Sequence, residues 1–447
     1  MADSADTPEN IYAAPAEWVA EGTGAQGNIF LTGRAGTGKT TLVKKFLKAA
    51  GEKAIVLAPT GVAAMNAGGQ TIHSLFKFPP RLIEPTDIKR LRSTRLVKAI
   101  DTIVIDEISM VRADMLDAID RSLKLNRMSK RPFGGVRMIV SGDLHQLPPV
   151  VSNDEKPILE DRYGGEYFFN APAFRDAEFT LLALKHVFRQ EDPRFLALLG
   201  GLRQGRLTPM EVKTLDGLVS NRSAKDASET HIVLTPNNNN AFRINQARLK
   251  ELTSRTKTYN ADVQGQFEER AFPTEADLEL KEGARVMLIR NDPEGRWVNG
   301  SIGFVEGFTA NGVIVNINDR AYEIEPAAWE KYKYELDPKT KKVKQEVIGT
   351  FKQMPLRLAY AITIHKAQGL TLDKVYIDFD YGMFAHGQAY VAFSRARSLE
   401  GLEISRRLRP SDLVLDKNAF AFGKLDKIED TAAYLLARFA KADDALL

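Results

Sequence analysis

The 447-residue chain contains no cysteine, which excludes disulfide bonds, zinc–thiolate sites and a cysteine nucleophile. An excess of one charge is absent too, because 62 Lys and Arg face 58 Asp and Glu, leaving a formal net charge of +4. Any basic surface for nucleic acid must therefore be local. The apolar fraction of 44% and charged fraction of 27% are those of a globular protein, so extended disorder is not expected.

Long hydrophobic runs are also missing. No apolar run approaches the roughly 18 residues that a membrane-spanning helix needs. The first ten residues, MADSADTPEN, lack the hydrophobic centre of a signal peptide and predict a flexible tail over residues 1–10. We therefore expect a cytoplasmic protein with no membrane partner.

The strongest positive signal is the segment Asn28–Ala50, NIFLTGRAGTGKTTLVKKFLKAA. An apolar run predicts a β-strand, the loop GRAGTGKT follows it, and apolar residues at helical spacing predict a helix after the loop. Glycines let backbone N–H groups turn towards phosphate oxygens, and a helix N-terminus favours negative charge. Lys39 would reach the β- and γ-phosphates, and the Thr40 hydroxyl would bind Mg²⁺. The predicted nucleotide-binding residues are Gly33, Gly36, Thr37, Gly38, Lys39, Thr40, Thr41 and, far along the chain, Gly369.

Short apolar runs alternate with helical stretches from Asn28 onwards, which is typical of an α/β protein with parallel sheets. The first predicted strands are Ile29–Thr32, Ala54–Ala58, Thr102–Ile105 and Met138–Ser141. A second block begins near Leu181 and lacks a glycine-lysine loop of its own. Its predicted strands are His231–Thr235, Arg285–Ile289 and Val375–Ile377. Residues 297–352, with short β-rich runs between Gly and Asn-Gly turns, predict a small antiparallel barrel inserted in the second domain.

Two predicted strands end at residues suited to metal and water chemistry. Asp106 and Glu107 follow one of them, at the sheet edge where open α/β sheets place their ligands. A carboxylate there can bind Mg²⁺, and an adjacent Glu can polarise an attacking water. Gln146, in GDLHQLPPV, can hydrogen-bond a γ-phosphate and respond to its loss. Taken alone, each pattern is also compatible with a strand that simply leaves the sheet for solvent.

Two arginines lie in or beside the second block, Arg189 in VFRQ and Arg395 in AFSRARS. Guanidinium groups supplied across a cleft stabilise the charge on a phosphoryl group in transfer. A solvated helix arginine is the ordinary alternative for either residue. Because the second block has no phosphate loop, we favour a site between two domains.

Seven segments, taken in order, resemble the helicase motifs of the petite-integration-frequency (PIF-type) DNA helicases, relatives of RecD in superfamily one, subclass B. They are GRAGTGKTT, APTGVAAMNAGGQTIHSLF, IDEISM, PFGGVRMIVSGDLHQLPPV, FRQ, AYAITIHKAQGLTL and AYVAFSRARSLEGL. The resemblance covers residues 27–402, and IDEISM with the VRADMLDAIDRSLKLNR that follows resembles the stretch that separates this family from RecD.

The resemblance implies an α/β fold of two RecA-like P-loop domains with ATP and Mg²⁺ between them. The first domain would cover residues 11–180, with a wedge insertion at about 74–95. The second would cover 181–296 and 353–447, with an SH3-like barrel at 297–352. The implied activity is ATP-driven 5′→3′ movement on single-stranded DNA. The implied partners are single-stranded DNA and forked or 5′-tailed duplex DNA, with G-quadruplex DNA as a further substrate. A monomer in the absence of DNA and work at the bacterial nucleoid are implied as well.

Site roles carry over motif by motif. The implied catalytic and metal-binding roles are phosphate binding for Lys39, Mg²⁺ binding for Thr40 and Asp106, general base for Glu107, γ-phosphate sensing for Gln146, and arginine fingers for Arg189 and Arg395. The positions at which the family touches the DNA strand are Thr60, His73, Thr363, His365 and Lys366.

The types of residue at and near these positions are also suited to binding DNA. The hydroxyls of Thr60 and Ser74, and backbone N–H groups near Gly61, suit phosphate contacts that are indifferent to sequence. Phe76 and Phe78 can stack on bases or can form a hydrophobic cluster under a loop, and the sequence leaves both open.

Two departures from the family pattern stand out. The family commonly carries an adenine-reading Gln about seventeen residues before the phosphate loop, but residues 12–21 contain none, so the preference for ATP is open. Ala367 replaces a frequent Ser in THKAQG. Two rival functions also remain, a DNA loader in which ATP only switches affinity, and a nucleotide-dependent regulator that never binds nucleic acid.

Overall fold

The structure is a computed structural model that describes residues 27–50, 53–92, 94–297, 299–336, 343–422 and 429–430. The expected tail at residues 1–10 and the segment 12–21 lie outside the described residues. Within the described part of the chain, no helix has the length and apolar character needed to cross a bilayer.

The strands, in chain order, are β1 (Asn28–Gly33), β2 (Ala54–Ala58), β3 (Gln70–Thr71), β4 (Thr102–Ile105), β5 (Arg137–Gly142), β6 (Phe179–Leu184), β7 (Ile232–Thr235), β8 (Lys257–Asn260), β9 (Asp262–Gly265), β10 (Asp277–Leu280), β11 (Arg285–Leu288), β12 (Ile302–Phe308), β13 (Val313–Ile317), β14 (Arg320–Ile324), β15 (Ala327–Leu336), β16 (Val343–Gln353), β17 (Leu356–Leu358), β18 (Ala361–Thr363), β19 (Val375–Ile377), β20 (Leu402–Ile404) and β21 (Glu429–Asp430).

The α-helices are α1 (Lys39–Ala50), α2 (Gly61–Ala67), α3 (Ile72–Phe76), α4 (Thr94–Ala99), α5 (Ala113–Arg127), α6 (Lys156–Tyr163), α7 (Pro172–Asp176), α8 (Pro193–Gln204), α9 (Pro209–Asp216), α10 (Ala224–Ala227), α11 (Asn238–Glu251), α12 (Gln388–Phe393) and α13 (Lys417–Phe422). Short 3₁₀ helices cover Pro85–Asp87, Ile108–Met110, Pro132–Gly135, Phe168–Asn170, Glu269–Ala271 and Pro410–Asp412.

Local sequence explains several helix boundaries. The Thr60 hydroxyl accepts a hydrogen bond from Ala63 N at the start of α2, and Thr208 with Glu211 forms a capping box at the start of α9. At the other end, Gly68 and Gly205 adopt left-handed backbone angles that end α2 and α8. The chain therefore specifies these ends with short-range signals.

The first lobe comprises residues 27–184 together with α13 and β21, and it is built on a parallel sheet of order β21-β6-β1-β5-β4-β2-β3. Helix α1 packs on one face, where Leu42, Val43 and Phe46 join a buried cluster with Leu31. Helix α5 and the aromatic residues around Phe168 cover the other face. Both faces are covered, as parallel sheets require.

The second lobe, residues 185–416, contains a smaller parallel sheet of order β18-β7-β19-β20. An antiparallel sheet of order β14-β13-β12-β11-β17 and a three-stranded sheet β15-β16-β9 form its β-rich part. The β-rich part shares a buried core with α11, through residues such as Ile244, Leu249 and Val286. The two parts of this lobe are thus packed as one body.

Two predictions about the second block are wrong, for the same physical reason. The predicted strand Arg285–Ile289 forms β11 (Arg285–Leu288), which pairs antiparallel with β12 and β17 in the β-rich part and does not join the parallel sheet. The second block, predicted to begin near Leu181, begins later, because β6 (Phe179–Leu184) pairs parallel with β1 and belongs to the first lobe. A short apolar run predicts a strand but carries no information about which partner it will pair with. The β-rich part accordingly starts well before residue 297.

Two further segments connect the lobes. After the second lobe, α13 returns to the first lobe, where the Phe422 ring stacks on Phe169 with centroids 4.3 Å apart and Ala419 is fully buried. The β15–β16 hairpin reaches over the first lobe and contacts α2, α3, α4 and β3. These contacts hold the two lobes against each other on both sides of the cleft between them.

Candidate active site between the two lobes

The phosphate loop has the backbone that its glycines predict. Gly36 and Gly38 take φ angles of +79° and +82°, in the region that disfavours other residues. A Cβ on Gly36 would lie 2.6 Å from the Cβ of Arg189 in the other lobe, so the loop and the second lobe are in close contact. Lys39 Nζ donates to the carbonyl oxygens of Gly33 at 2.8 Å and Arg34 at 3.0 Å. The lysine therefore lies folded over the loop, where phosphate oxygens would take the place of these carbonyls.

We call the surface where this loop and the ends of β4 and β5 face the second lobe the seam. Thr37, Thr40 and Thr41 line the start of α1 on the first-lobe side, and the Thr37 hydroxyl donates to Arg34 O at 2.9 Å. Burial lowers the pKa of Lys39, against the opposing influence of Asp143, Glu107 and Asp106.

The acidic pair lies at the end of β4, as the sequence predicts. Asp106 is buried, and its Oδ1 accepts a hydrogen bond from Glu107 N at 3.0 Å. Glu107 has a φ of +53°, a left-handed value that is rare for a residue with a side chain and typical of functional positions. Burial raises the pKa of Asp106, and burial together with the Asp106 charge raises the pKa of Glu107 to about 7.

The donor set at this point fits a magnesium ion. Carboxylate and hydroxyl oxygens are the protein ligands that Mg²⁺ prefers, and Asp106 and Thr40 offer them on adjacent elements of the first lobe. Burial raises the pKa of Asp106, and a divalent cation would favour its ionised carboxylate.

The loop after β5 carries a different arrangement. Gln146 Nε2 donates to Asp143 Oδ2 at 3.3 Å, and Arg203 of α8 donates from Nη2 to Asp143 Oδ1 at 3.2 Å. Burial acts to raise the pKa of Asp143, but the charges of Arg203 and Lys39 outweigh it and the pKa is lowered. Asp143 is thus a buried ion-pair partner that links the Gln146 loop to the second lobe.

Both predicted arginines lie at the seam. Arg189 donates to Ser394 O and Gly369 O, both at 3.2 Å. Arg395 is 1% exposed and donates from Nη2 to the Ser394 hydroxyl at 2.7 Å and from Nη1 to Leu370 O at 3.4 Å. Burial and the neighbouring Arg189 lower the pKa of Arg395 to about 9. Backbone carbonyls and a hydroxyl are weaker partners for a guanidinium than a phosphate would be.

Other groups at the seam were missed by sequence reasoning. Tyr390 OH accepts a hydrogen bond from Ala35 N in the phosphate loop at 3.0 Å, and Gln368 Nε2 donates to Glu107 Oε2 at 3.1 Å. Asp143, Gln368 and Tyr390 lie inside segments already recognised as motifs, so polar side chains within those segments were the available signal. Arg203 has no such signal, because only the packing of α8 against the first lobe brings it to Asp143.

The predicted DNA-binding residues form two groups, each after the carboxyl ends of parallel strands. In the first lobe Thr60 is exposed, Gly61 begins α2, and His73 and Ser74 lie half-buried on α3. In the second lobe the chain leaves β18 at Thr363, which is buried, and continues to half-buried His365 and exposed Lys366. The sequence did not single out Phe384, a 65% exposed ring near His365 with centroids 6.4 Å apart.

Phe76 is placed differently from its prediction as a DNA contact. Its side chain is 3% exposed and stacks on Phe78, 5% exposed, with ring centroids 5.3 Å apart. Both rings belong to the large buried cluster of the first lobe. The structure therefore favours the alternative of a hydrophobic cluster, because a ring that packs in the core has no free face for a base.

The fold and the seam together define a class. A phosphate loop, an acidic pair and a polar Gln loop on one parallel-sheet lobe face two arginines from a second parallel-sheet lobe, which is the arrangement of a P-loop nucleoside triphosphatase with two RecA-like domains.

Comparisons with known proteins agree. Residues 7–195 match the PIF1-like helicase family. The chain is 32% identical over 410 residues to the ATP-dependent DNA helicase Pif1 of Bdellovibrio bacteriovorus, covering 89% of this chain and 88% of that one. It is 34% identical to the human ATP-dependent DNA helicase PIF1, of which it spans 58%. The chain belongs to the PIF1-like helicase family, and its enzyme class is that of the ATP-hydrolysing DNA helicases.

Solved structures of Pif1 helicases also resemble this chain, and they do so to different degrees. The crystal structure of Bacteroides sp. Pif1 in complex with ADP-AlF4 superposes with a TM-score of 0.85 at 35% identity, over 92% of this chain and 96% of that one. Bacteroides Pif1 bound to single-stranded DNA gives a TM-score of 0.66 at 36% identity, over 92% and 96%. The arrangement described here is thus closer to that of the relative without DNA.

Proposed function

We propose that the protein is a motor that uses ATP to move 5′→3′ along single-stranded DNA and to unwind duplex DNA, with G-quadruplex DNA as a further substrate. The observation that carries the proposal is the seam, where the phosphate loop and Glu107 on one lobe face Arg189 and Arg395 on the other. A triphosphate bound there contacts both lobes at once, so its cleavage changes how the lobes are held together.

We assign the chemical roles as follows. Lys39 binds the β- and γ-phosphates, and Glu107 orients and deprotonates the attacking water. Its raised pKa suits a base that works near neutral pH. Gln146 contacts the γ-phosphate and transmits its loss through Asp143 to the second lobe. Mg²⁺, held by Thr40 and Asp106, supplies charge neutralisation at the phosphates.

The two arginines give the nucleotide its hold on the second lobe. With a triphosphate present, Arg189 and Arg395 exchange backbone carbonyl partners for phosphate oxygens and gain charge-assisted hydrogen bonds. After hydrolysis those bonds are lost and the cleft is free to open. Binding therefore closes the cleft, and hydrolysis reopens it.

Movement follows if each lobe holds the strand in turn. Thr60, Gly61, His73 and Ser74 would hold phosphates on the first lobe, and the segment Thr363–Lys366 would hold them on the second. A pair of neighbouring domains that alternately tighten and release produces steps in one direction. We assign residues 74–95 as the wedge that meets the duplex, and one chain supplies every group of the seam, so a monomer suffices when DNA is absent.

The β15–β16 hairpin contacts α2 and α3, which carry the first group of DNA residues. Among relatives, Bacteroides Pif1 has been crystallised bound to single-stranded DNA, and a further Pif1 structure describes unwinding at forked duplex DNA by two coordinating helicases. The DNA-bound relative superposes less well than the ADP-AlF4 complex, which supports a change in the overall arrangement of the chain when DNA binds.

Strand displacement from tailed duplexes tests the proposal. We expect the protein with ATP and Mg²⁺ to displace a strand from a 5′-tailed duplex and not from a matched 3′-tailed duplex. Glu107→Gln serves as the matched inactive control, since it keeps the size of the side chain. Displacement from the 3′ tail alone contradicts the direction, and displacement from neither contradicts the motor.

The two rivals differ from the motor in simpler assays. ATP hydrolysis that single-stranded DNA does not stimulate identifies the nucleotide-dependent regulator. DNA-stimulated hydrolysis without displacement from either tail identifies the loader. The hydrogen bond between Glu107 and Gln368 of the second lobe favours the motor. A regulator that never binds DNA does not need its catalytic base in contact with the predicted DNA-binding segment.

A further inference from the structure

One short turn of the second lobe contacts four groups of the seam, namely Arg189, Arg395, Glu107 and Gln146. The turn runs from Thr363 to Leu370 and is held by its own hydrogen bonds, from Ala367 N to Thr363 O at 2.9 Å and from Leu370 N to Ala367 O at 3.0 Å. Its first half carries the predicted DNA-binding side chains. The carbonyls of its second half accept from both arginines, Gly369 O from Arg189 and Leu370 O from Arg395.

The Gln368 side chain reaches from this turn across the seam. Its Nε2 donates to Glu107 Oε2 at 3.1 Å and to Gln146 Oε1 at 3.4 Å. The residues that it joins come from the ends of β4 and β5 in the first lobe. A single amide nitrogen of the second lobe thus bridges the general base and the γ-phosphate sensor.

An NH₂ group and a water molecule have the same two donors. The water that attacks a γ-phosphate must give one hydrogen to the base and is oriented by the neighbouring Gln. The Gln368 amide makes those two contacts itself, so its nitrogen lies where the water has to be. While the amide remains there, the base has lost one acceptor position and the water has lost its place.

We propose that Gln368 is a gate on the attacking water, closed in the absence of DNA and withdrawn when a DNA strand takes hold of the first half of the Thr363–Leu370 turn. The proposal rests on the function assigned above, in which Glu107 is the base and the Thr363–Lys366 segment binds DNA. Because the turn is short and internally hydrogen-bonded, a displacement at Lys366 is carried to Gln368 two residues later. Hydrolysis is thereby kept low until a strand is present.

The test measures ATP hydrolysis by Gln368→Leu, which keeps the bulk of the side chain and removes both donors. We expect its rate without DNA to rise about tenfold, the value of one hydrogen bond to a charged group. The rate at saturating single-stranded DNA should equal that of the wild type, so the stimulation by DNA shrinks. The KM for ATP without DNA should stay within about twofold, because the gate acts on the water and not on nucleotide binding.

Two further variants make the result interpretable. Gln264→Leu removes an exposed amide of β9 in the same lobe, and we expect it to behave as the wild type. Gln368→Asn keeps the amide on a side chain one methylene shorter, too short to bridge both partners, and should also raise the DNA-free rate.

Three outcomes overturn the gate. Equal falls in the DNA-free and DNA-saturated rates of Gln368→Leu would make Gln368 a residue that promotes hydrolysis. An unchanged DNA-free rate would make the contact incidental, and a rise in KM matching the rise in rate would indicate a loosened cleft. Failure of the underlying function looks different, because wild-type hydrolysis would then be insensitive to DNA, or the double variant Glu107→Gln/Gln368→Leu would hydrolyse ATP as fast as Gln368→Leu.

Discussion

Two acidic positions at the ends of neighbouring strands lie close enough to the phosphate loop for their charges to act on Lys39, and their surroundings differ. At the end of β4, Asp106 and Glu107 are crowded together and burial raises the pKa of both. At the end of β5, Asp143 is more deeply buried, yet Arg203 and Lys39 lower its pKa. At the first position burial outweighs the nearby positive charges, and at the second the charges of Arg203 and Lys39 outweigh burial. The first position therefore suits a cation and an attacking water, and the second links the two lobes through its ion pair with Arg203.

Burial also disfavours the charged form of an arginine on the other side of the seam. Arg395 is buried beside Arg189, and its pKa falls to about 9. Buried acidic groups on one lobe thus face buried arginines on the other. A bound triphosphate with its cation would satisfy both, and a ligand that binds only the folded state stabilises it by mass action. The following predictions separate the two acidic positions.

The largest effect is expected for Glu107→Gln, which removes the base and leaves the size of the side chain. General bases contribute roughly 10²–10⁴-fold, so DNA-stimulated ATP hydrolysis should fall by about that factor while ATP and DNA still bind. Steady-state hydrolysis and nucleotide-binding titrations measure the two quantities. Rapid turnover by this variant would contradict the role of the β4 position.

At the β5 position the expected effect is on stability and lobe contact. Arg203→Ala leaves the Asp143 carboxylate buried and unpaired, which costs about 3 kcal/mol of unfolding free energy. Chemical denaturation checks the value, and the KM for ATP should rise as well. Arg194→Ala is the matched control on the same helix, because its ion pair with Asp192 involves a 76% exposed arginine and contributes little.

If Arg203→Ala unfolds no more easily than Arg194→Ala, the ion pair is not a structural link. The double variant Asp143→Asn/Arg203→Ala adds a check. Removing both charges should recover part of the lost stability, since no unpaired charge then remains buried.

A smaller effect is expected for Gly387→Ala, at the point where the second lobe lies against the Gln146 loop. A Cβ there would lie 2.2 Å from His145 O, and the φ of Gly387 is +68°. The left-handed backbone alone costs about 1–2 kcal/mol, and the overlap with a carbonyl should push the lobes apart. We expect a higher KM for ATP and a lower melting temperature. Gly200→Ala, in α8 with open space at its Cβ, should be neutral or slightly stabilising, and equal behaviour of the two variants would exclude a close approach at Gly387.

The parts of the site that could be predicted from sequence are those that a contiguous segment specifies. The loop from Gly33 to Lys39 encodes its own geometry through Gly36 and Gly38, and the acidic pair occupies a strand end that its own apolar run predicts. The two lobes and the hairpin β15–β16 were likewise readable from alternating runs and turn residues.

The parts that were missed depend on pairing across long distances in the chain. β11 pairs antiparallel with β12, and β6 pairs with β1 in the first sheet. Each is only a short apolar run in the sequence, which does not indicate its partner strand. Arg203 meets Asp143 sixty residues away, and Gln368 meets Glu107 at a separation of 261 residues. Phe76 shows a different error. It was predicted as a DNA contact because it lies inside a motif, but its side chain is part of the buried hydrophobic core.

The smallest effect concerns pH and distinguishes the two acidic positions without any activity measurement. The folded-state pKa of Glu107 is raised from 4.5 to about 7, so between these values the folded state binds more protons than the unfolded state. Stability contributed by this group therefore falls as pH rises through that window, by about 1–2 kcal/mol after allowance for solvent screening. Asp143 behaves oppositely, because its pKa is lowered and its contribution is lost only as pH falls below the unfolded value of 3.8.

Thermal unfolding of Glu107→Gln and wild type in Mg²⁺-free buffer measures the difference. We expect the variant to gain stability over the wild type between pH 5 and pH 8, because an amide there has no charge to desolvate. Glu400→Gln is the control, since its carboxylate is 72% exposed and should show no such trend. A difference between Glu107→Gln and wild type that does not change with pH would mean that Glu107 titrates normally, and the contrast between the β4 and β5 positions would lose its electrostatic basis.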